Sequence, residues 1–174
     1  MPQRMLMALP VFSMWNEHGK IKFHKPVGAD GIDLTEVDLA RDVVIEAGSA
    51  EVYGHSEYGE EGSSGGGGGT LVKPLYGKKL NVAATITLNY CPPRRGMSPA
   101  AYEERLRKML SAQTVSNHTE ADPRGTTKFI SYDQGSYEWV FRVPHFTKWG
   151  VLDEEPSDVV ASSFTDKKQS DLQQ

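Results

Sequence analysis

A histidine and a threonine two residues apart, His145 and Thr147, follow a strongly patterned segment. Residues 137–143 alternate between apolar and polar, which is the period of a half-buried β-strand. The apolar face consists of Tyr137, Trp139, Phe141 and Val143. A threonine hydroxyl lies one five-membered ring closure from the carbonyl of the preceding residue, and a neutral histidine is a suitable base. The spacing therefore allows self-cleavage at the Phe146–Thr147 bond, although His-x-Thr is common and more often only ends a strand.

Self-cleavage at this bond has three chemical requirements. The Thr147 hydroxyl is a weak nucleophile until a base such as His145 takes its proton, and an unperturbed imidazole titrates near about 6.5. Because hydroxyl and carbonyl share one dipeptide, the attack loses little translational entropy, an advantage of up to about 7–11 kcal/mol. The ester is less stable than the amide, so the fold must distort the backbone, and Pro144 fixes φ just before the site. An N-to-O acyl shift and hydrolysis would then separate Phe146 from Thr147 once per molecule.

The segment around this site resembles a known family. Residues 136–150 contain Trp-x-Phe-x-Val, then His-Phe-Thr, a basic residue, an aromatic residue and a glycine. This block resembles the end of the autoproteolytic domain of Nup98/Nup145-type nucleoporins, which usually has serine where this chain has Thr147. Threonine keeps the hydroxyl and adds a β-methyl group that stiffens χ1. The resemblance covers roughly residues 12–152. Weaker matches occur upstream in the family's order, at residues 19–23, 32–39, 81–88 and 129–132.

The resemblance implies a location, an activity and partners. It implies a serine/threonine-type self-processing domain of the nucleus and the nuclear pore complex, with His145, Phe146 and Thr147 at the cleavage site. In the family, cleavage separates a repeat-bearing part from a scaffold protein, and the domain then docks at the pore and supports protein and mRNA transport. The expected partners are other nucleoporins, such as a β-propeller or a scaffold nucleoporin. The chain's own residues 147–152 are a further expected partner after cleavage.

Two other functions stay open. If Thr147 reacts too slowly or is misplaced, the domain is a docking module that does not cleave. Weak RNA binding through residues 94–108 is the third hypothesis, because residues 73–128 contain ten basic and four acidic residues. The net charge of that stretch is +6, and the whole chain carries −4, so the remainder carries −10 and argues against RNA.

The composition excludes several other kinds of site. Cys91 is the only cysteine, so an intramolecular disulfide is impossible and a reducing compartment is expected. No metal or cofactor is expected, and no apolar run approaches the length of a membrane span. The oxyanion donor is left open, with Asn16 and Lys148 as candidates. The other histidines lack metal-ligand spacing and are expected on the surface or in turns: His18, His24, His55 and His118.

The patterns predict an α+β fold with a mostly antiparallel, sandwich-like, two-layer sheet, one well-defined helix and short helical segments. The helix is predicted over residues 98–113, with Ser98 as its cap and Pro99 in the first position. A short helix is predicted over residues 35–42, capped by Asp33 or Thr35. The strands are predicted at 20–24, 42–45, 50–53 and 81–89, with a hairpin of 126–132 and 137–143. Residues 1–11 are interpreted as either an edge strand or a remnant of a longer linker.

The domain is predicted to cover residues 1–152. Residues 60–69 are a Gly-rich stretch that is interpreted as a flexible insertion within the domain. Residues 153–174 are acidic and polar, and we expect a disordered tail.

Overall fold

The computed structural model describes residues 9–54, 58–59, 71–117, 127–146 and 148–151. These described ranges contain ten strands and two helices. In chain order they are β1 (Val11–Asn16), β2 (Gly19–His24), α1 (Leu39–Asp42), β3 (Val43–Glu46), β4 (Ser49–Val52), β5 (Tyr58–Gly59), β6 (Leu71–Val72), β7 (Ala84–Leu88), α2 (Pro99–Asn117), β8 (Lys128–Tyr132), β9 (Trp139–Val143) and β10 (Lys148–Gly150).

The largest element is a five-stranded antiparallel sheet with the order β1-β2-β7-β9-β8. Its register aligns the apolar residues of neighbouring strands, as in Ile21 opposite Ile86 and Ile86 opposite Phe141. Because side chains alternate between the two faces of a strand, one whole face of the sheet is apolar. The buried residues of this face in β2, β7 and β9 are Ile21, Phe23, Ala84, Ile86, Leu88, Trp139, Phe141 and Val143.

A smaller antiparallel sheet has the order β10-β4-β3, and β5 and β6 form a short parallel pair. Ala50 and Val52 of β4 and Trp149 of β10 are fully buried in the same hydrophobic cluster as the large sheet. Two mostly antiparallel sheets with two helices form the α+β fold that the sequence predicts.

Helix α2 covers the predicted helix and continues four residues further, to Asn117. The Ser98 hydroxyl oxygen accepts a hydrogen bond from the Ala101 amide (3.2 Å), as expected of an N-cap. Tyr102 of α2 packs edge-on against Tyr132 of β8, with ring centroids 5.8 Å apart. The Tyr132 hydroxyl donates to the Cys91 carbonyl (2.9 Å), and burial raises the pKa of the Cys91 thiol to about 11. Cys91 is therefore a structural residue and not a reactive thiol.

The short helix differs from its prediction. It begins at Leu39, and its N-cap is Asp38, whose carboxylate accepts from the amides of Ala40 and Arg41. Asp33 instead accepts from the amide and the hydroxyl of Thr35 (2.8 and 2.7 Å). The predicted cap at Asp33 or Thr35 was wrong, because the same short polar residue types favour both turns and helix caps.

Two strand predictions also need correction. Strand β7 begins at Ala84 instead of residue 81, and β9 begins at Trp139 because Tyr137 has a φ of +59°. A left-handed residue cannot continue a strand ladder. The sheet has an edge strand that the sequence did not predict, β1 at Val11–Asn16, and residues 1–8 of the segment 1–11 lie outside the described residues. The predicted strands β2, β3 and β4 and the 128–143 hairpin agree with the structure to within a few residues, whereas β5 and β6 were not predicted.

Several predictions fall outside the described residues. These are the Gly-rich stretch 60–69, the tail 153–174, His55 and His118. His18 is surface-exposed as predicted, but His24 lies in β2, where its Nε2 is 2.9 Å from the Thr85 hydroxyl. Of the helices within the described ranges, none has the length and apolar character that a membrane span requires. In the same ranges, no group of three or more His, Cys, Asp or Glu side chains could hold a metal ion.

Candidate active site

The predicted cleavage site lies at the end of β9, a strand of the large sheet with a neighbour on each side. The ladder with β7 ends at Val143, because Pro144 has no amide to donate to it. His145 is 4% exposed and Phe146 is fully buried. The Phe146 ring packs on Phe23 of β2, with centroids 5.4 Å apart. The fold therefore holds His145 and Phe146 inside the domain rather than in a surface loop.

The peptide unit that joins His145 to Phe146 is hydrogen-bonded on both of its sides. The Trp149 indole N–H donates to the His145 carbonyl (3.2 Å), and the Phe146 amide donates to the Asn81 side-chain oxygen (3.2 Å). Asn81 is 6% exposed, and its amide nitrogen donates to the Pro74 carbonyl (2.8 Å). Because both polar groups of one planar unit have fixed partners, the orientation of the backbone entering Phe146 is set by the fold.

The chain after the predicted site is held by the small sheet. Strand β10 pairs with β4, with Lys148 opposite Glu51 and Trp149 opposite Ala50. Trp149 is fully buried, and its ring packs edge-on against the His145 ring, with ring centroids 6.4 Å apart. The Val151 amide donates to the Gly48 carbonyl (2.7 Å), which extends the attachment beyond β10.

A glutamine on α2 binds the other side of β10. The Gln113 amide nitrogen donates to the Gly150 carbonyl (2.7 Å), and its oxygen accepts from the Gly150 amide (3.4 Å). A carboxamide side chain carries the same donor and acceptor as a peptide unit, so Gln113 takes the place of a neighbouring strand. Gly150 itself has a φ of +145°, and a Cβ there would collide with the Gly48 carbonyl and lie 2.6 Å from the Ser49 Cα. Only glycine fits this position.

Thr147, the predicted nucleophile, lies outside the described residues, between Phe146 and Lys148, whose positions are both described. The two candidate oxyanion donors have other partners. The Asn16 amide donates to the Ile45 carbonyl (2.9 Å), and the Lys148 ammonium lies 3.8 Å from a Glu51 carboxylate oxygen. The structure thus buries His145 and Phe146 before the predicted bond and uses Asn16 in the contact between the two sheets.

Sequence reasoning missed Asn81 and Gln113 as residues of this site. Gln113 follows Leu106 and Leu110 on the same side of α2, so a polar residue on an apolar stripe was the available signal. Asn81 precedes the alternating residues of β7, and no pattern in the sequence around it indicates that its side chain is buried.

Comparison with known proteins identifies the family. Residues 1–151 match the family model described as Nucleoporin2: Nup98-96 autopeptidase S59. The chain belongs to the Nup98-96 autopeptidase S59 family. This autopeptidase domain is 30% identical over 169 residues to Nucleoporin nup189 of Schizosaccharomyces pombe, which covers 95% of the chain and 8% of that relative. The chain spans less than a tenth of the length of this relative and of Nucleoporin NUP145 of Chaetomium thermophilum.

Solved structures agree with the family assignment. A crystal structure of a Chaetomium thermophilum Nup145N APD, a threonine-to-alanine mutant fused to Nup145C, has a TM-score of 0.55 and 26% identity, and the match covers 84% of this chain and 85% of that one. A chain of the yeast Nup82-Nup159-Nup116 complex has the same fold, with a TM-score of 0.53, 23% identity and coverage of 83% and 87%. The predicted family, α+β fold and identity as an autopeptidase domain of a nuclear pore nucleoporin are confirmed.

Proposed function

We propose that this autopeptidase domain cuts its own Phe146–Thr147 bond and then serves as a docking module at the nuclear pore. The observation that carries the proposal is the pair of hydrogen bonds on the peptide unit before Phe146, together with the attachment of β10 directly after Thr147. Because the backbone before and after the Phe146–Thr147 bond has fixed partners, the fold can hold that bond in a reactive geometry. Family membership makes autoproteolysis the expected chemistry.

In the first step, His145 accepts the proton of the Thr147 hydroxyl. The hydroxyl oxygen attacks the Phe146 carbonyl carbon, the C–N bond breaks, and the liberated nitrogen takes the proton. This N-to-O acyl shift replaces the amide with an ester. Water then hydrolyses the ester, which leaves a carboxylate on Phe146 and restores the Thr147 hydroxyl and a free amino group. The reaction runs once per molecule, so it is maturation and not turnover.

After cleavage, we propose that residues 148–151 stay bound without a covalent link. Trp149 is buried, Gln113 contacts both polar backbone groups of Gly150, and β4 supplies a strand partner. The docking partners proposed for the domain are other nucleoporins. The likeness to a Nup145N APD fused to Nup145C supports a partner of that class.

Mass spectrometry of the purified 174-residue protein tests the cleavage. The expected result is two fragments, one ending at Phe146 and one beginning at Thr147, while Thr147→Ala gives one intact chain with an unchanged melting temperature. Thr147→Ser should cleave at least as fast, because the β-methyl constraint on χ1 is removed. An intact wild-type chain would favour the docking module that does not cleave, and cleavage of Thr147→Ala at the same bond would exclude Thr147 as the nucleophile.

A further inference from the structure

The large sheet has a second face, turned away from the core, and it is positively charged. We call it the basic face and define it by the outward residues Trp15, Lys20, Lys22, Lys128 and Arg142, all of which are exposed. The register places them outward, because their strand neighbours Ile21, Phe23 and Phe141 point into the core.

Three of these cations lie in one row across the sheet. Lys22 is opposite Thr85, Thr85 is opposite Arg142, and Arg142 is opposite Lys128. Neighbouring strands are about 4.8 Å apart, so the row spans about 14 Å with a cation at each end and one between them. The row crosses four strands, and only the folded register brings its members together.

This row opposes the stability of the sheet. Like charges directly opposite each other on neighbouring strands are destabilising, and Arg142 and Lys128 are such a pair. His24 lies on the same face. The pKa of its imidazole is lowered first by burial, then by the charge of Arg142 and then by that of Lys22. Within the described ranges, Lys22, Lys128 and Arg142 form no ion pair.

Among the described residues, the acidic side chain on this face lies beside Trp15 and Lys20 and away from the row. Glu138 points to the same side of the sheet, but it precedes Arg142 by four residues, which is about 13 Å along the strand and beyond the Debye length of about 8–10 Å at ordinary ionic strength. The whole chain carries a net charge of −4, so this concentration of positive charge does not follow from the composition.

An exposed tryptophan lies beside the row. Trp15 is 73% exposed on the edge strand β1, opposite Lys20 of β2, and it lines one hollow with Lys20, Thr87, Asn89 and the acidic residue Glu138. Tryptophan and arginine, as in Trp15 and Arg142, are enriched at protein contact surfaces.

The chemistry of the face favours a protein over RNA. A sheet that binds single-stranded RNA presents aromatic side chains on its central strands for base stacking. Here the aromatic residues of the central strands, Phe23, Trp139 and Phe141, all point into the core, and the outward positions of β7 are Thr85 and Thr87. We propose that the basic face docks an acidic, extended segment of a partner protein, with its carboxylates on the cation row and an apolar residue on Trp15. This docking surface is separate from the cleavage site and does not depend on cleavage.

Fluorescence anisotropy of a labelled twelve-residue peptide of alternating glutamate and isoleucine, with the 174-residue protein, tests the proposal. The variant Lys22→Glu/Arg142→Glu/Lys128→Glu should bind the peptide at least about tenfold more weakly at low salt. The control Arg94→Glu/Arg95→Glu/Lys108→Glu changes three exposed cations elsewhere and alters the net charge equally. It should change the affinity by less than about twofold. Trp15→Ala should weaken binding by a smaller factor than the triple reversal.

The test has clear outcomes against the proposal. Equal losses in the two triple variants would show nonspecific charge attraction, and absence of peptide binding to the wild type would overturn the proposal directly. Tighter binding of a twelve-nucleotide oligouridine that depends on the same cations would assign the face to RNA. Stronger peptide binding after Asp153→Asn/Glu154→Gln/Glu155→Gln would show that the chain's own acidic segment occupies the face.

A thermal measurement checks the underlying electrostatics without any partner. Lys128→Glu places an opposite charge across from Arg142, so the melting temperature should rise by about 1–3 °C. The control Lys108→Glu reverses an exposed cation on α2 that lies 3.9 Å from Glu104, and it should not raise the melting temperature. A fall in the Lys128→Glu variant would show that the cation row is not under repulsion and would overturn the argument.

Discussion

The segments on the two sides of Thr147 are attached to the domain in different ways. The upstream segment is β9, which has a strand on each side and ends in the fixed peptide unit before Phe146. The downstream segment is β10, which has three residues and, among the described strands, pairs with β4 alone, while the Gln113 side chain takes the place of a second strand. The proposed cleavage between them would therefore separate a segment built into the sheet from one that is bound at an edge.

This difference sets what cleavage can achieve. The upstream segment stays in the core whether or not the bond is cut. The downstream segment keeps the buried Trp149 ring, whose burial contributes about 4–6 kcal/mol by apolar area. Ordering each of its residues costs about 1–2 kcal/mol in backbone entropy, so the net affinity is modest. The geometry thus favours retention that a competing peptide can displace.

The largest effect is expected from removing the proposed base in the upstream segment. His145→Ala should slow cleavage by about 10²–10⁴-fold, since a general base contributes that much. The fraction cleaved over time, measured by mass spectrometry, checks this. His18→Ala is the control, because His18 is exposed and distant along the chain. An unchanged cleavage rate in His145→Ala would exclude His145 as the base.

The second prediction concerns Trp149, the main anchor of the downstream segment. Trp149→Ala should leave the upstream segment folded and weaken retention of the cleaved fragment by about 3–5 kcal/mol, or at least about a hundredfold. Size-exclusion chromatography of cleaved protein should then separate the fragments. Lys148→Ala is the matched control, because that side chain is 52% exposed and makes a long 3.8 Å ion pair. Co-elution of the Trp149→Ala fragments would contradict the distinction between the two segments.

The third prediction concerns Asn81, which accepts from the Phe146 amide. Asn81→Ala leaves that buried amide and the Pro74 carbonyl without partners, a loss of about 1–3 kcal/mol. If the contact positions the reacting bond, cleavage slows by about 5–100-fold. Asn81→Asp keeps an acceptor oxygen and should recover part of the rate. Asn89→Ala is the control, and a rate for Asn81→Ala equal to that control would show that Asn81 has only a packing role.

A smaller effect is expected from acid on the large sheet. Because the folded state lowers the pKa of His24, the unfolded chain binds more protons as the pH falls through about 6.5, and stability is lost there. The melting temperature should therefore fall between pH 7.5 and pH 5.5, and His24→Gln should show a smaller fall. Identical pH profiles for the two proteins would show that protonation of His24 contributes nothing measurable.

The smallest effect is expected from shortening the Gly-rich stretch. Deleting residues 65–69 should leave the cleavage rate and the retention of the downstream segment nearly unchanged, because loop length enters the closure entropy only logarithmically. Loss of soluble protein or a change in either measurement would show that this stretch supports one of the two segments.

The sequence by itself determined the elements with regular periods, and it predicts the chemistry of the site. The alternation around Phe141 predicts β9, and the cap and apolar stripe predict α2. His145 and Phe146 are adjacent in sequence, so a local motif is enough to predict them as site residues. Boundaries were less predictable, since the positive φ of Tyr137 and the cap at Asp38 depend on surrounding contacts that composition does not specify.

Only the tertiary structure decided which distant residues meet. Asn81 contacts Phe146 across 65 residues, and Gln113 contacts Gly150 across 37. The row of Lys22, Arg142 and Lys128 likewise exists only in the folded register. The physical reason is that hydrogen bonds and charge contacts act over a few ångströms, whereas sequence patterns report only the local face of one element.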